Sequence, residues 1–244
     1  MALPIPFPTD ALIERKTSIG FARDLWIPTS FDYDTFEDKF WGDTLHSLYP
    51  AAKTNGTSAA VTFTEHNANG FIDFVSGTAD NGYAGQGLGL HFTGDRGVLA
   101  EFVIKLPAAI TTMKIEVGLT DADDDAGAIN IKATPSFTAT DCAVVIIDTD
   151  DDANFAFVSA KGGVGVATQD IGAYTPTVST TYRIAVRVEG DSCSAYINGT
   201  QVAGHADGIE GGNAITPWVF VQARAGSASR TIQMHKWRVI QPAY

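Results

Sequence analysis

The sequence predicts an all-β fold in which two antiparallel sheets pack face to face. Three observations carry that expectation. Short runs of β-branched and aromatic residues recur along most of the chain, separated by Gly, Asn and Asp. Several runs alternate apolar and polar side chains with the period of two that a half-buried strand requires. No long Leu/Glu/Lys-rich stretch with helical spacing appears, and glycine is abundant, at 24 of 244 residues. A chain of this length is ample for one large all-β core.

Composition changes near residue 36. Pro4, Pro6, Pro8 and Pro28 lie among Leu3, Ile5, Phe7, Ile19, Phe21, Leu25, Trp26 and Ile27. Thr9-Asp10 ahead of Ala11-Leu-Ile-Glu14 is an N-cap pattern for one short helix. The segment is too apolar for a disordered tail and too rich in proline for a regular element. Residues 1–35 therefore read as an extended arm that needs a surface to lie on, and Phe7, Phe21, Leu25 and Trp26 are its expected anchors. Residues 36–244 read as the sandwich domain.

Strands are expected at Ala60–Thr64, Phe71–Val75, Leu88–Phe92, Val98–Lys105 and Met113–Leu119, the last with Met113, Ile115, Val117 and Leu119 on one face and Lys114 and Glu116 on the other. Cys142–Ile147, Asn154–Ser159 and Pro217–Arg224 supply more. In Thr181–Glu189, Tyr182, Ile184, Val186 and Val188 face inward. Gly190-Asp191 then turns the chain into Cys193–Ile197, and Asn198-Gly199 turns it again. The total is about a dozen strands, with no repeat at solenoid or propeller spacing.

Basic residues number 16 and acidic ones 28, a net charge of −12. That balance excludes a nucleic-acid binder, which needs clustered Lys and Arg, and an electrostatic anchor on anionic lipid. No stretch approaches the roughly 18 apolar residues of a membrane span. Met1-Ala-Leu-Pro-Ile-Pro-Phe-Pro8 lacks the basic and apolar regions of a signal peptide, so synthesis in a cytosol is expected. Cys142 and Cys193 sit at inward strand positions. A disulfide between them is open, and two buried free thiols are the favoured reading.

Thr181-Tyr-Arg-Ile-Ala-Val-Arg-Val-Glu-Gly190 with Ala195-Tyr-Ile-Asn-Gly-Thr-Gln-Val202 resembles a signature of concanavalin A-like (laminin-G-like) jelly rolls. Ile232–Val239 resembles their closing strand, and Phe36-Glu-Asp-Lys-Phe-Trp-Gly-Asp43 their opening one. The resemblance implies a two-sheet antiparallel jelly-roll sandwich over about residues 36–241, an architecture that serves lectins, glycosidases, adhesion modules and virion proteins alike.

The enzymatic branch of that fold, resembling family-16 glucanases, requires two glutamates and an aspartate alternating on one strand to flank a glycosidic bond. In Gly70-Phe-Ile-Asp-Phe-Val75, Asp73 matches the aspartate, but Phe71 and Val75 stand where the other carboxylates belong. No Gly-x-Ser-x-Gly, His-Glu-x-x-His or Cys-x-x-Cys occurs. His46, His66, His91, His205 and His235 share no ligand spacing. Gly82–Gly89 has no following Lys-Ser/Thr and reads as bends. A non-enzyme is expected.

Two loops present aspartates at positions 1, 3 and 5: Asp121, Asp123 and Asp125, then Asp148, Asp150 and Asp152. Oxygen ligands at that alternation suit Ca²⁺. The alternative is a pair of solvated hairpin tips, and no other cofactor is expected. For sugar stacking, Tyr83 and Tyr174 lie in expected loops, whereas Trp218 and Trp237 sit in apolar strand patterns and read as core. Asn55-Gly-Thr57 and Asn198-Gly-Thr200 read as turns.

The apolar arm, the lack of a signal peptide or a catalytic set, and the Ala/Thr/Gly-rich strands together resemble the structural proteins of tailed-phage virions. That resemblance implies a capsid decoration, minor capsid or fibre component in the virion, attached by its arm to capsid or other virion subunits and homo-oligomeric. A carbohydrate-binding, lectin-like module is the alternative.

Overall fold

The computed structural model describes residues 33–40, 45, 47–63, 70–123, 127–132, 135–172, 174–225 and 228–242. The anchors expected in the arm, Phe7, Phe21, Leu25 and Trp26, lie outside these residues, as does Asp125. Among these described residues eighteen strands follow in chain order: β1 Tyr33–Asp38, β2 Lys53–Asn55, β3 Ala60–Phe63, β4 Ile72–Val75, β5 Tyr83–Gly87, β6 Phe92–Thr93, β7 Val98–Lys105, β8 Met113–Thr120 and β9 Ile129–Ile131. After them come β10 Ser136–Phe137, β11 Cys142–Asp148, β12 Phe155–Lys161, β13 Val164–Ile171, β14 Thr181–Glu189, β15 Ser192–Ile197, β16 Thr200–His205, β17 Ala214–Ala223 and β18 Thr231–Pro242.

The fold is the expected all-β, two-sheet antiparallel jelly-roll sandwich. Sheet A runs β16-β15-β14-β7-β18-β4-β3, with β1 also on β18, and sheet B runs β13-β12-β11-β8-β17-β5-β2, with β6 also on β17. The long strands β18 and β17 each serve two short partners on one side. On β17, β6 pairs at Ala214–Ile215 and β5 at Trp218–Gln222, so Pro217 falls where no ladder bond is needed on that side.

Between the sheets lies the main core, which includes Phe74, Phe102, Ile104, Ile115, Val117, Phe155, Phe157, Val219 and Trp237. Tyr182, Ile184, Val186 and Val188 join it as the alternation of β14 predicts. Cys142 and Cys193 are buried and free.

Three local expectations are corrected. Leu88–Phe92 is not a strand; the extended segment is the glycine-rich Tyr83–Gly87 before it. There Gly85 gives Trp218 room: a Cβ at Gly85 would lie 2.8 Å from the indole ring. Tyr83 is accordingly a strand residue and not a loop residue. Lys114 and Glu116 do not face water, since both are fully buried on the outer side of sheet B. A second layer, with Ala128, Ile129, Phe137 and Ala139, packs there against Cys142, Val144, Ile146, Ala156, Val158 and Ala160.

Candidate functional site

Alternating strand directions bring five loops to one end of the sandwich. The segment before β11 brings Asp141, the β12–β13 hairpin Lys161 to Gly163, and the β14–β15 hairpin Gly190-Asp191. The β16–β17 loop brings Ala206 to Asn213, and the 3₁₀ turn Gly94–Arg96 brings Asp95. Backbone bonds knit them together: Gly190 N donates to Gly94 O at 2.8 Å, Asp95 N to Gly211 O at 2.9 Å and Gly208 N to Asp191 O at 2.9 Å.

Lys161 stands at the centre. Its Nζ donates to Asp191 Oδ2 and Asp207 Oδ1, each at 2.6 Å, and lies 3.6 Å from Glu210 Oε2. These carboxylates keep 43%, 76% and 49% of their side-chain surface in solvent. Hydrogen bonds to the two aspartates hold the Lys161 ammonium above the ordinary lysine range. Lys161, then the Gly211 amide at 2.9 Å, holds the Asp191 carboxyl below its ordinary range. Behind them Asp141, wholly buried, accepts from Glu210 N at 2.9 Å, Gly162 N at 3.3 Å and Asn213 Nδ2 at 2.7 Å. Asp141 fixes the two loops that carry Glu210 and Lys161.

Beneath this layer Ser159 Oγ and His205 Nδ1 are 2.7 Å apart. Burial keeps the imidazole pKa of His205 below its ordinary value. Burial also pushes the Cys193 thiol up to about 11. Ser159 is fully buried, and Gly208 packs over the group: a Cβ there would lie 2.5 Å from Cys193 Sγ and 3.0 Å from Ser159 Oγ.

The residues singled out from the sequence are not gathered here. Tyr83 is 7% exposed on β5, its ring 5.3 Å from that of Phe220. Tyr174 follows β13 near the opposite edge of sheet B, half-buried against the main core. Of the acidic loops, Asp121 lies at this end and accepts from Thr140 N at 3.0 Å. Asp148 is buried at the other end beside Arg224, and Asp152 pairs with Lys132 at 2.5 Å. Among the described residues no three acidic, His or Cys side chains converge on a metal position. The aspartate spacing therefore does not produce convergence, because Asp148 turns into the sheet while Asp152 turns to a lysine. Sequence reading passed over Lys161, Asp141, Asp191, Asp207 and Glu210. Their available signal was glycine interleaved with acids in Gly190-Asp191 and Ala206–Asn213, in loops that strand parity sends to one end.

No protein-family description matches the chain, and no curated protein matches it in sequence. Solved structures do. A Shewanella oneidensis MR-1 protein of unknown function is 15% identical, with coverage of 100% of this chain and 97% of that one and a TM-score of 0.57. Peanut lectin is 12% identical over 87% of this chain and 99% of its own, with a TM-score of 0.58. The β-glucanase of Bacillus licheniformis is 10% identical over 84% and 97%, with a TM-score of 0.54. At such identities these likenesses show the fold alone, that of concanavalin A-like jelly rolls. They lend no support to the expected virion role.

The expectation of a non-enzyme is overturned. Besides the Bacillus glucanase, structures sharing the fold include a lichenase, the Crh5 transglycosylase and a glycosidic hydrolase, alongside the carbohydrate recognition domain of Emp46p. The fold is common to enzymes and lectins. The exclusion rested on Phe71 and Val75 flanking Asp73 and on the absence of local catalytic motifs along the chain.

Proposed function

We propose that this chain is a carbohydrate-binding, lectin-like module that meets its ligand at the Lys161 loop end. One observation carries the reading: Asp191, Asp207 and Glu210 are held in place by a single ammonium, yet their carboxylates stay open to solvent. Fixed carboxylates accept hydrogen bonds from sugar hydroxyls with little ordering cost, which is how a polar site gains affinity and selectivity. The likeness to peanut lectin and to the Emp46p domain is consistent with this reading.

A glycan array followed by calorimetry on the best hit tests it. Asp207→Ala and Glu210→Ala are expected to weaken binding at least tenfold while the melting temperature stays unchanged, both side chains being exposed. Failure of the wild-type chain to bind any glycan, or undiminished binding by both variants, overturns the assignment.

A further inference from the structure

We propose that His205 is an acid-operated release for the 206–213 loop: a proton on its imidazole lifts that loop and breaks up the arrangement of Asp207 and Glu210 beside Lys161. The consequence for a ligand rests on the carbohydrate reading of this loop end, whereas the movement of the loop does not. His205 ends β16 of sheet A, and its side chain turns inward against β12 of sheet B. There Ser159 Oγ lies 2.7 Å from Nδ1, and the Phe157 ring is 4.9 Å from the imidazole. Nε2 is buried and meets no hydrogen-bond partner among the described residues.

A neutral imidazole tolerates that setting, because Ser159 matches one ring nitrogen and the other need not donate. The imidazolium does not, since both nitrogens then carry protons and the second meets no acceptor. Among the described residues no neighbour supplies a counter-charge. Cys193 on β15, hydrogen-bonded to Ser159, stays a neutral thiol because burial pushes it up to about 11. On β13 the one ionisable residue, Asp170, is in register with Ala156 and not with Ser159. In the layer above, Asp191 and Asp207 are taken by Lys161 at 2.6 Å, and Glu210 lies 3.6 Å from the same ammonium. The Phe157 ring favours a cation at its face but gives Nε2 no acceptor. Burial alone lowers the imidazole pKa, with no charged neighbour contributing.

The loop is what closes over this group. A Cβ on Gly208 would come 2.5 Å from Cys193 Sγ, 2.9 Å from His205 Cβ and 3.0 Å from Ser159 Oγ. The same turn carries Asp207 and Glu210, so lifting it to hydrate the imidazolium moves both carboxylates. Apart from the buried Ile209, its ties are single hydrogen bonds: Gly208 N to Asp191 O, Gly211 N to Asp191 Oδ1 and Glu210 N to Asp141 Oδ1, each at 2.9 Å. β12, β15 and β16 are held by continuous ladders, so the loop is the part that yields. In the opened loop His205 returns to its ordinary value, and the open state therefore binds more protons than the closed one. Acid favours opening, by about tenfold per pH unit, from the ordinary histidine value down to the lower value of the closed state.

Nuclear magnetic resonance of the full-length chain tests the proposal, following the His205 ring and amide hydrogen exchange from about pH 7.5 to about pH 5.5, above the ordinary carboxylate range. After correction for intrinsic exchange, protection at Gly208, Ile209 and Gly211 should fall by up to about tenfold per pH unit while β14 amides hold theirs. His205→Asn keeps a polar group toward Ser159 and cannot titrate, so it should abolish the dependence. Should that variant fail to fold, Ser159→Ala removes the partner of Nδ1 and should move the midpoint to more acid pH. Loop protection that stays flat across the range overturns the proposal, as does a dependence that survives in His205→Asn or a midpoint unmoved in Ser159→Ala. So does an imidazole that takes its proton at the ordinary value while the loop amides stay protected. Calorimetry on a bound glycan should show affinity falling over the same range in the wild type and not in His205→Asn; constant affinity beside an opened loop overturns the release. A chain that binds no glycan at neutral pH overturns the carbohydrate reading alone, since the loop measurement is made without ligand.

Discussion

On the outer faces of the two sheets, β14 and β8 carry the same alternating sequence in different environments. On β14 of sheet A, residues between the core positions reach water: Arg183 is 37% exposed and pairs with Glu101 at 2.6 Å, and Arg187 pairs with Glu189. Lys236 and Arg238 extend the ladder to Glu37, at 3.5 and 3.4 Å. On β8 of sheet B, Lys114 and Glu116 occupy the same alternate positions and are 1% and 0% exposed. The difference comes from Ala128, Ile129, Phe137 and Ala139, which lie on sheet B as a second apolar layer. A period of two therefore reports which residues share a face, and only a covering segment decides whether that face is wet.

The buried pair anchors the cover. Glu116 Oε2 accepts from Ala128 N at 2.7 Å and Oε1 from Ile129 N at 3.1 Å, while Lys114 Nζ, 3.0 Å from Glu116 Oε1, donates to Ile129 O. Removing one partner leaves a buried charge and two amides unsatisfied. Glu116→Ala should cost about 3–5 kcal/mol, the largest effect expected on either outer face. Glu116→Gln, which keeps an acceptor, should cost less. Chemical denaturation measures both, and a loss under about 1 kcal/mol for the alanine variant would mean that the cover is not seated by this pair.

Much of this architecture was legible in the sequence, because burial of one face leaves a direct imprint. The alternation in β14 and β15 gave their inward residues, and the unbroken Cys142–Ile147 run is the pattern of a strand buried on both faces. The glycine-rich strand β5 was not legible, since turn chemistry and close packing use the same residue. Gly85 is there to receive Trp218 from β17, a contact more than a hundred positions away in the chain. The Lys161 site was hidden for a related reason: its carboxylates come from separate loops, and no local spacing records their meeting.

Acid titration should separate the faces by sign. On sheet B, burial pushes the Asp148 carboxyl above its ordinary range, against the pull of Arg224 and Lys114. Between its unfolded and folded pKa values the folded state binds more protons, so the Asp148 contribution to stability falls as pH rises through that window. On sheet A, burial opposes ionisation of Glu37 as well, but Lys39, Lys236 and Arg238 outweigh it and hold the carboxyl below its ordinary range. Its contribution is present above the unfolded value and is lost as pH falls through the folded one. Stability measured across the carboxylate range should therefore lose a negative slope in Asp148→Asn and a positive one in Glu37→Gln. Slopes of the same sign would break the contrast between the faces.

The smallest effect belongs to Arg187 and Glu189, partners on the same face of β14 with 40% and 65% of their side chains in solvent. An exposed ion pair exchanges hydration for a screened attraction and loses side-chain freedom, so its net contribution is about 0.2–1 kcal/mol. Arg187→Ala should accordingly shift stability by no more than that, and the shift should shrink further in high salt as screening removes the attraction. Set beside Glu116→Ala, the comparison isolates the cover: both substitutions break an acid–base pair at alternate positions of a strand, and only one of those pairs lies under a second layer. Equal losses for the two variants in one denaturant series would mean that the layer of Ala128, Ile129, Phe137 and Ala139 does not exclude water from Lys114 and Glu116. A loss several times larger at Glu116 than at Arg187 would assign the difference to the covering layer.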